Sequence, residues 1–337
     1  IPINPYTGQD VTPELNSPVA IWVITGLMAV LTMFFNLFIF LMSLKSYKQN
    51  KHWTPCETII TALSLANGAH QLLCYLWMTM IEIDKDCRLE ELFYSLMILT
   101  VFSLKFTIMW TTSFLTFYYS TKLVIEPIHC YTKIQEAILK HVTTVVLVIP
   151  MCGLSMCLPM LTVLVPENNT SENMDCGSIM PDDTPGMIYN TVYLVLSNIL
   201  PGILMVKCCI SISVHLGIHL QHMKASTNGS HAPKLGSEMR VIRMTLALVV
   251  VFLCFMVVDL YAYYQVTVKK ENAILLSFLF TSIYTTFSAL VLIYGKKTFW
   301  KVLLHSYNVG LDEFPCLSCL KVPETKRKPN SSHTVKH

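Results

Sequence analysis

Residues 92–121 read LFYSLMILTVFSLKFTIMWTTSFLTFYYST, thirty residues in which Lys105 is the one charged side chain. A helix needs about 20 apolar residues to cross ~30 Å of hydrocarbon, and a lipid-embedded segment must satisfy its backbone internally. This stretch meets both demands. Outward from it, six more stretches qualify, at 19–44, 56–81, 142–165, 187–216, 241–266 and 273–295. Across all seven, the charged residues are Glu57, Lys105, Lys207, Arg243 and Asp259. The reading is an all-α membrane protein, a seven-transmembrane helix bundle.

Composition agrees. The 337 residues are 53% hydrophobic and 13% charged, with a mean hydropathy of +0.52, whereas soluble domains carry about 25% charge. A large soluble core, a secreted disulfide scaffold and a disordered chain are all excluded. The net charge of +3 gives nucleic acid no claim as a partner. No metalloprotease, nucleophile-elbow, P-loop or dinucleotide motif occurs, so neither enzyme activity nor a cofactor is expected. His215, His219 and His222 share one helix face and could hold zinc, but no carboxylate accompanies them, and no metal site is assigned.

Loop charge predicts orientation. The 1–18 tail and loops 82–91, 166–186 and 267–272 hold four Lys and Arg, against seventeen in 45–55, 122–141, 217–240 and 296–337. The positive-inside rule puts the second set in the cytoplasm, the N-terminal tail outside and the C-terminus inside. The overlapping sequons at Asn168 and Asn169 then fall in the largest outer loop, where glycosylation occurs. Residues 1–18 lack the basic and apolar regions of a signal peptide, leaving span one as the targeting signal. Cys87 and Cys176 are the cysteines in outer loops, a disulfide candidate. Segment 296–305 suits an amphipathic helix on the inner surface, and 306–337, with its Lys326-Arg327-Lys328 run, a disordered tail drawn to anionic membrane lipid.

Lys105 is the residue singled out. An ammonium at mid-membrane costs several kcal/mol unless it finds a partner or water. Asp259 is the one carboxylate well inside a span. Counting from the outer ends at 1.5 Å per residue separates the two by roughly 9 Å in depth. Two readings follow: an ion pair between them, or a cation at the floor of an outward-open cavity awaiting an anionic or acceptor-rich ligand. Aromatic residues gather toward the outer half, at Trp77, Phe102, Phe106, Tyr193, Tyr261, Tyr264, Phe280 and Tyr284. With Asn190, Ser197 and Asn198, a subset could line an apolar pocket with few polar anchors. Pro150, Pro159 and the Pro201-Gly202 pair are expected kinks.

Seven spans suggest a G-protein-coupled receptor, although span three ends in Tyr118-Tyr119-Ser120-Thr121-Lys122 rather than Asp-Arg-Tyr, and span seven lacks Asn-Pro-x-x-Tyr. Trp110, Leu115 and Tyr118-Tyr119-x-x-Lys122 resemble the pattern that closes span three in the type 2 (bitter) taste receptors. Asn36-x-Phe38-Ile39 is similar to their span one. Ser213, His219-Leu220-Gln221-x-Met223 and Asn228-Gly229-x-His231-x-Pro233 resemble the family's span five and third inner loop, and Leu292-Ile293-Tyr294-Gly295 its close of span seven. Departures mark a divergent member: no arginine near Ala69, Ser288-Ala289 in place of a His-Ser pair, Pro127 closer than usual to Lys122, and the Cys87 and Cys176 pair.

The resemblance implies a plasma-membrane chemoreceptor for small bitter compounds that activates a gustducin-type heterotrimeric G protein. A vomeronasal type 1-like receptor and a seven-span transporter are the alternatives. The family's cavity lies among the outer parts of spans three, five, six and seven, and the position five before the span-three Trp commonly lines it; here that is Lys105, with Val101, Phe102 and Phe106 beside it. Small anionic or amphiphilic agonists are therefore expected. Tyr119, Lys122, His219, His222, Arg240 and Arg243 are expected to border the G-protein cleft.

Overall fold

The computed structural model describes residues 18–83, 91–123, 129–163, 184–226, 236–265 and 274–312. Seven helices are long and apolar enough to cross a membrane: Val19–Asn50, Pro55–Ile83, Leu92–Leu123, Val142–Thr162, Thr184–Ile218, Met239–Tyr264 and Leu275–Gly295. The helices behind these spans are α1 (Pro18–Asn50), α2 (Pro55–Ile83), α3 (Glu91–Leu123), α4 (His129–Lys140), α5 (Val142–Cys157), α6 (Met160–Val163), α7 (Thr184–Leu194), α8 (Leu200–Ser226), α9 (Gly236–Tyr264), α10 (Ile274–Gly295) and α11 (Lys297–Asp312). The chain is a seven-span all-helical membrane bundle. Its N face is where span one begins; its C face carries α4 and α11.

Spans three and seven are the most enclosed, and span one turns Leu27, Val30, Phe34 and Leu37 outward. Without water on that outward face, apolar side chains there match lipid and do not need burial. One core cluster runs through Leu63, Met109, Leu115, Met205, Phe252 and Leu292 toward the C face. A second, through Trp77, Tyr94, Phe102, Cys157, Tyr193 and Phe278, fills the N-face half. Small residues allow close approach. A Cβ on Gly153 would lie 2.9 Å from the Ser103 carbonyl of span three, and one on Gly295 would overlap the Met244 side chain of span six.

Helix ends follow local chemistry. The Thr54-Pro55-Cys56-Glu57 stretch forms a reciprocal cap on α2: the Glu57 N–H donates to Thr54 Oγ1 at 3.3 Å and the Thr54 N–H donates to Glu57 Oε2 at 3.2 Å. Pro55 takes the first helical position, where no N–H is required. Lys51, with φ of 58°, makes the left-handed turn that ends α1.

The kink expected at Pro159 is present, and two other expectations change. Span four breaks at Leu158 and Pro159, since Pro159 has no N–H to continue the ladder, while Pro150 sits inside α5. Part of the 122–141 loop is the helix α4, whose Ile138 and Leu139 pack against the core. The surface helix runs to Asp312 and not 305, held by buried Phe299 and Leu311; the rest of the expected tail lies outside the described residues.

Candidate functional site

Span five carries a π-turn, Val195–Ile199, immediately before Pro201. The Leu200 N–H reaches back to the Val195 carbonyl. Leu196 would look to residue 201 for its own π-type partner, but proline has no N–H. That freed carbonyl accepts the Trp110 indole N–H at 2.9 Å. One turn further, Ser113 Oγ donates to the Pro201 carbonyl at 3.1 Å. The proline thus frees one docking point for span three, the Ser113 bond adds a second beside it, and the widened turn places Ser197 and Asn198 in the interior.

At this level four spans converge. The Lys105 ammonium donates to Asp259 Oδ1 at 2.8 Å and to Oδ2 at 2.9 Å, both side chains 6% exposed. Asn198 Nδ2 donates to Asp259 Oδ2, and Ser277 Oγ donates to Oδ1 at 2.9 Å. Lys105 also lies 5.4 Å from the centre of the Phe255 ring, a cation–π distance. Spans three, five, six and seven are joined through one carboxylate. The ion-pair reading of Lys105 is the arrangement present.

Around the pair, Phe102 meets Tyr193 and Phe278 edge-on, with ring centres 5.3 and 6.4 Å apart, and Trp77 meets Phe278 at 5.1 Å. The Tyr193 hydroxyl donates to the Phe102 carbonyl at 2.8 Å. Val101 and Phe106 are buried in the same wall, and Phe106 also packs near Trp110. Tyr284 lies beside Phe255 and donates to Thr112 Oγ1 at 3.2 Å. Phe280 and Asn190 are part-buried, Phe280 against the C-face cluster. Tyr261 and Tyr264 are not brought to this site: they are 53% and 46% exposed on the outward side of α9.

Sequence reasoning missed Ser277, Phe255 and Phe278. Ser277 had a usable signal: counted from the ends of spans seven and six, it lies within about one helical turn of Asp259 in depth. Phe255 had another, one turn before Asp259 on the same helix face.

At the C face, Lys122 and Arg243 are exposed, whereas Tyr119 points into the bundle and bonds Cys56 Sγ at 2.9 Å. Arg240 is part-buried with its guanidinium 5.9 Å from the Tyr294 ring centre. Lys296 pairs with Glu57 at 2.8 Å, and Ser46 donates to the same oxygen at 2.9 Å, tying spans one, two and seven. His219 and His222 lie near the end of α8. Asn168, Asn169, Cys87 and Cys176 lie outside the described residues. Among the described residues, no three metal-ligating side chains come together.

The described residues thus form a seven-helix membrane bundle with a buried polar centre joined from four spans in its N-face half. The family model for taste receptor protein (TAS2R) matches residues 15–307, and the chain belongs to that family. No curated protein matches it.

Proposed function

We propose that this taste receptor binds small bitter-type compounds in a cavity reached from the N face and activates a heterotrimeric G protein of the gustducin type at the C face. The observation that carries the reading is the convergence of Lys105, Asn198, Asp259 and Ser277 from four spans, walled by Phe102, Tyr193 and Phe278. A ligand that competes for one member acts on the packing of all four. Loop charge supports an extracellular N face at the plasma membrane, with sequons Asn168 and Asn169 and the Cys87–Cys176 candidate bridge on that side.

The ion pair sets the chemistry of selection. An anionic or acceptor-rich amphiphile competes with Asp259 for the Lys105 ammonium and offsets the cost of releasing that carboxylate through the contacts of its apolar body with Val101, Phe102 and Phe106. Replacing Asp259 frees span six from span three. The ligand thereby favours one helix arrangement over another, which is what a population shift requires. Span six then parts from span seven near Arg240 and Met244, opening the cleft bordered by Lys122 and Arg243.

The test is a compound-library screen in cells with a G-protein readout, repeated in cells lacking the G protein. Responses that vanish with the G protein are the expected result. Substrate flux that persists without it contradicts the receptor reading and favours a transporter.

A further inference from the structure

A second polar centre, which among the described residues shares no hydrogen bond with the ion pair, lies between spans one, two and seven. Asn67, His70 and Gln71 occupy successive positions on one face of α2, and all three are fully buried. Both ring nitrogens of His70, Gln71 Nε2 and Asn67 Oδ1 find no hydrogen-bond partner among the described residues. The two contacts that reach this cluster are long: Asn67 Nδ2 to Asn36 Oδ1 at 3.4 Å and Thr285 Oγ1 to Gln71 Oε1 at 3.5 Å. The Thr285 hydroxyl has a single proton, and the Ser282 carbonyl at 3.0 Å is the better acceptor. Gln71 therefore lacks a real donor as well. The groups left over include donors and acceptors in close sequence register, and each would cost about 1–3 kcal/mol if left dry.

We infer that Asn67, His70 and Gln71 form a binding site for ordered water that bridges span two to Asn36 of span one and Thr285 of span seven. Water suits the set because each molecule both donates and accepts and makes about three hydrogen bonds in such sites. A cation suits it poorly. No carboxylate is among the buried residues of this cluster, and the Lys105 ammonium is within electrostatic reach of His70. The site is thus a hydrogen-bonding link between spans one, two and seven that suits an uncharged ligand.

The experiment is hydroxyl-radical footprinting of the purified full chain by a brief X-ray pulse, which marks side chains that hold water whether or not they reach the surface. His70 is expected to oxidise at more than about a tenth the rate of exposed His52, while Phe252, equally buried among apolar groups, stays unmodified. A slower His70, or Phe252 marked as fast, overturns the proposal. His70→Leu and Gln71→Met supply a second reading. Each is expected to lower Tm, with the double variant no worse than the larger single change, because either loss empties the same bridge. A rise in Tm means the groups were dry and overturns it. Titration of wild type with sodium chloride against choline chloride is expected to give equal Tm, and a sodium-specific rise identifies a cation site instead.

Discussion

The Lys105 ammonium and the Asp259 carboxylate, on spans three and six, meet through two contacts of 2.8 and 2.9 Å inside the bundle. Buried pairs of this kind cost more to break than to replace. Asp259→Asn leaves an ammonium without its counter-charge, so a loss of about 3–5 kcal/mol is expected. Lys105→Met with Asp259→Leu removes both charges and is expected to recover most of it. Thermal unfolding of the three proteins in lipid nanodiscs checks this. A double variant no better than Asp259→Asn would show that the pair contributes through something other than charge.

Trp110 and Pro201 make a second linked pair, because the indole N–H uses a carbonyl that the proline leaves open. Trp110→Phe is expected to cost about 1–3 kcal/mol, the range for a buried acceptor losing its donor. Pro201→Ala restores an N–H that can claim the Leu196 carbonyl, so in that background Trp110→Phe is expected to cost clearly less. A double-mutant cycle by thermal unfolding measures the difference.

At the C face Glu57 has two duties, capping α2 and pairing with Lys296. Glu57→Ala removes both and is expected to cost roughly 0.3–1.5 kcal/mol from the cap alone. Lys296→Met leaves the cap intact, and the Lys296 side chain is 25% exposed, so a smaller loss of about 0–1 kcal/mol is expected. Equal losses in the same unfolding measurement would assign Glu57 to the ion pair and not to the helix end.

Gly295 holds spans six and seven together, since any Cβ there overlaps Met244. Gly295→Ala is expected to push the C-face end of span six outward and raise basal G-protein signalling several-fold. Adding Met244→Ala makes room for the new methyl and is expected to return signalling toward wild type. A calcium assay normalised to surface expression reads both.

Much of this was legible before any coordinates. Hydropathy marks the spans because lipid demands unbroken apolar helices, and a lysine stranded in an apolar run announces its need for an acid. The depth arithmetic left Lys105 and Asp259 roughly 9 Å apart; in the fold they are in direct contact. What sequence could not supply was facing. Tyr261 and Tyr264 have the composition of pocket residues yet turn outward, and Tyr119 turns inward to Cys56. In lipid both faces of a span are apolar, so periodicity carries less information than in water. The π-turn was signalled by Pro201 only as a kink, and α11 outruns its expected end because Leu311, a turn beyond the tail's first polar residues, is buried.

The most direct test of the account is the response of wild type and Lys105→Asn to matched acidic and cationic amphiphiles in a G-protein-coupled calcium assay, at equal surface expression. The account predicts that the variant loses at least about tenfold potency toward the acids, corresponding to roughly 1.4 kcal/mol of lost interaction, and gains relative response to the cations as Asp259 is freed. An acid response unchanged by Lys105→Asn would contradict it.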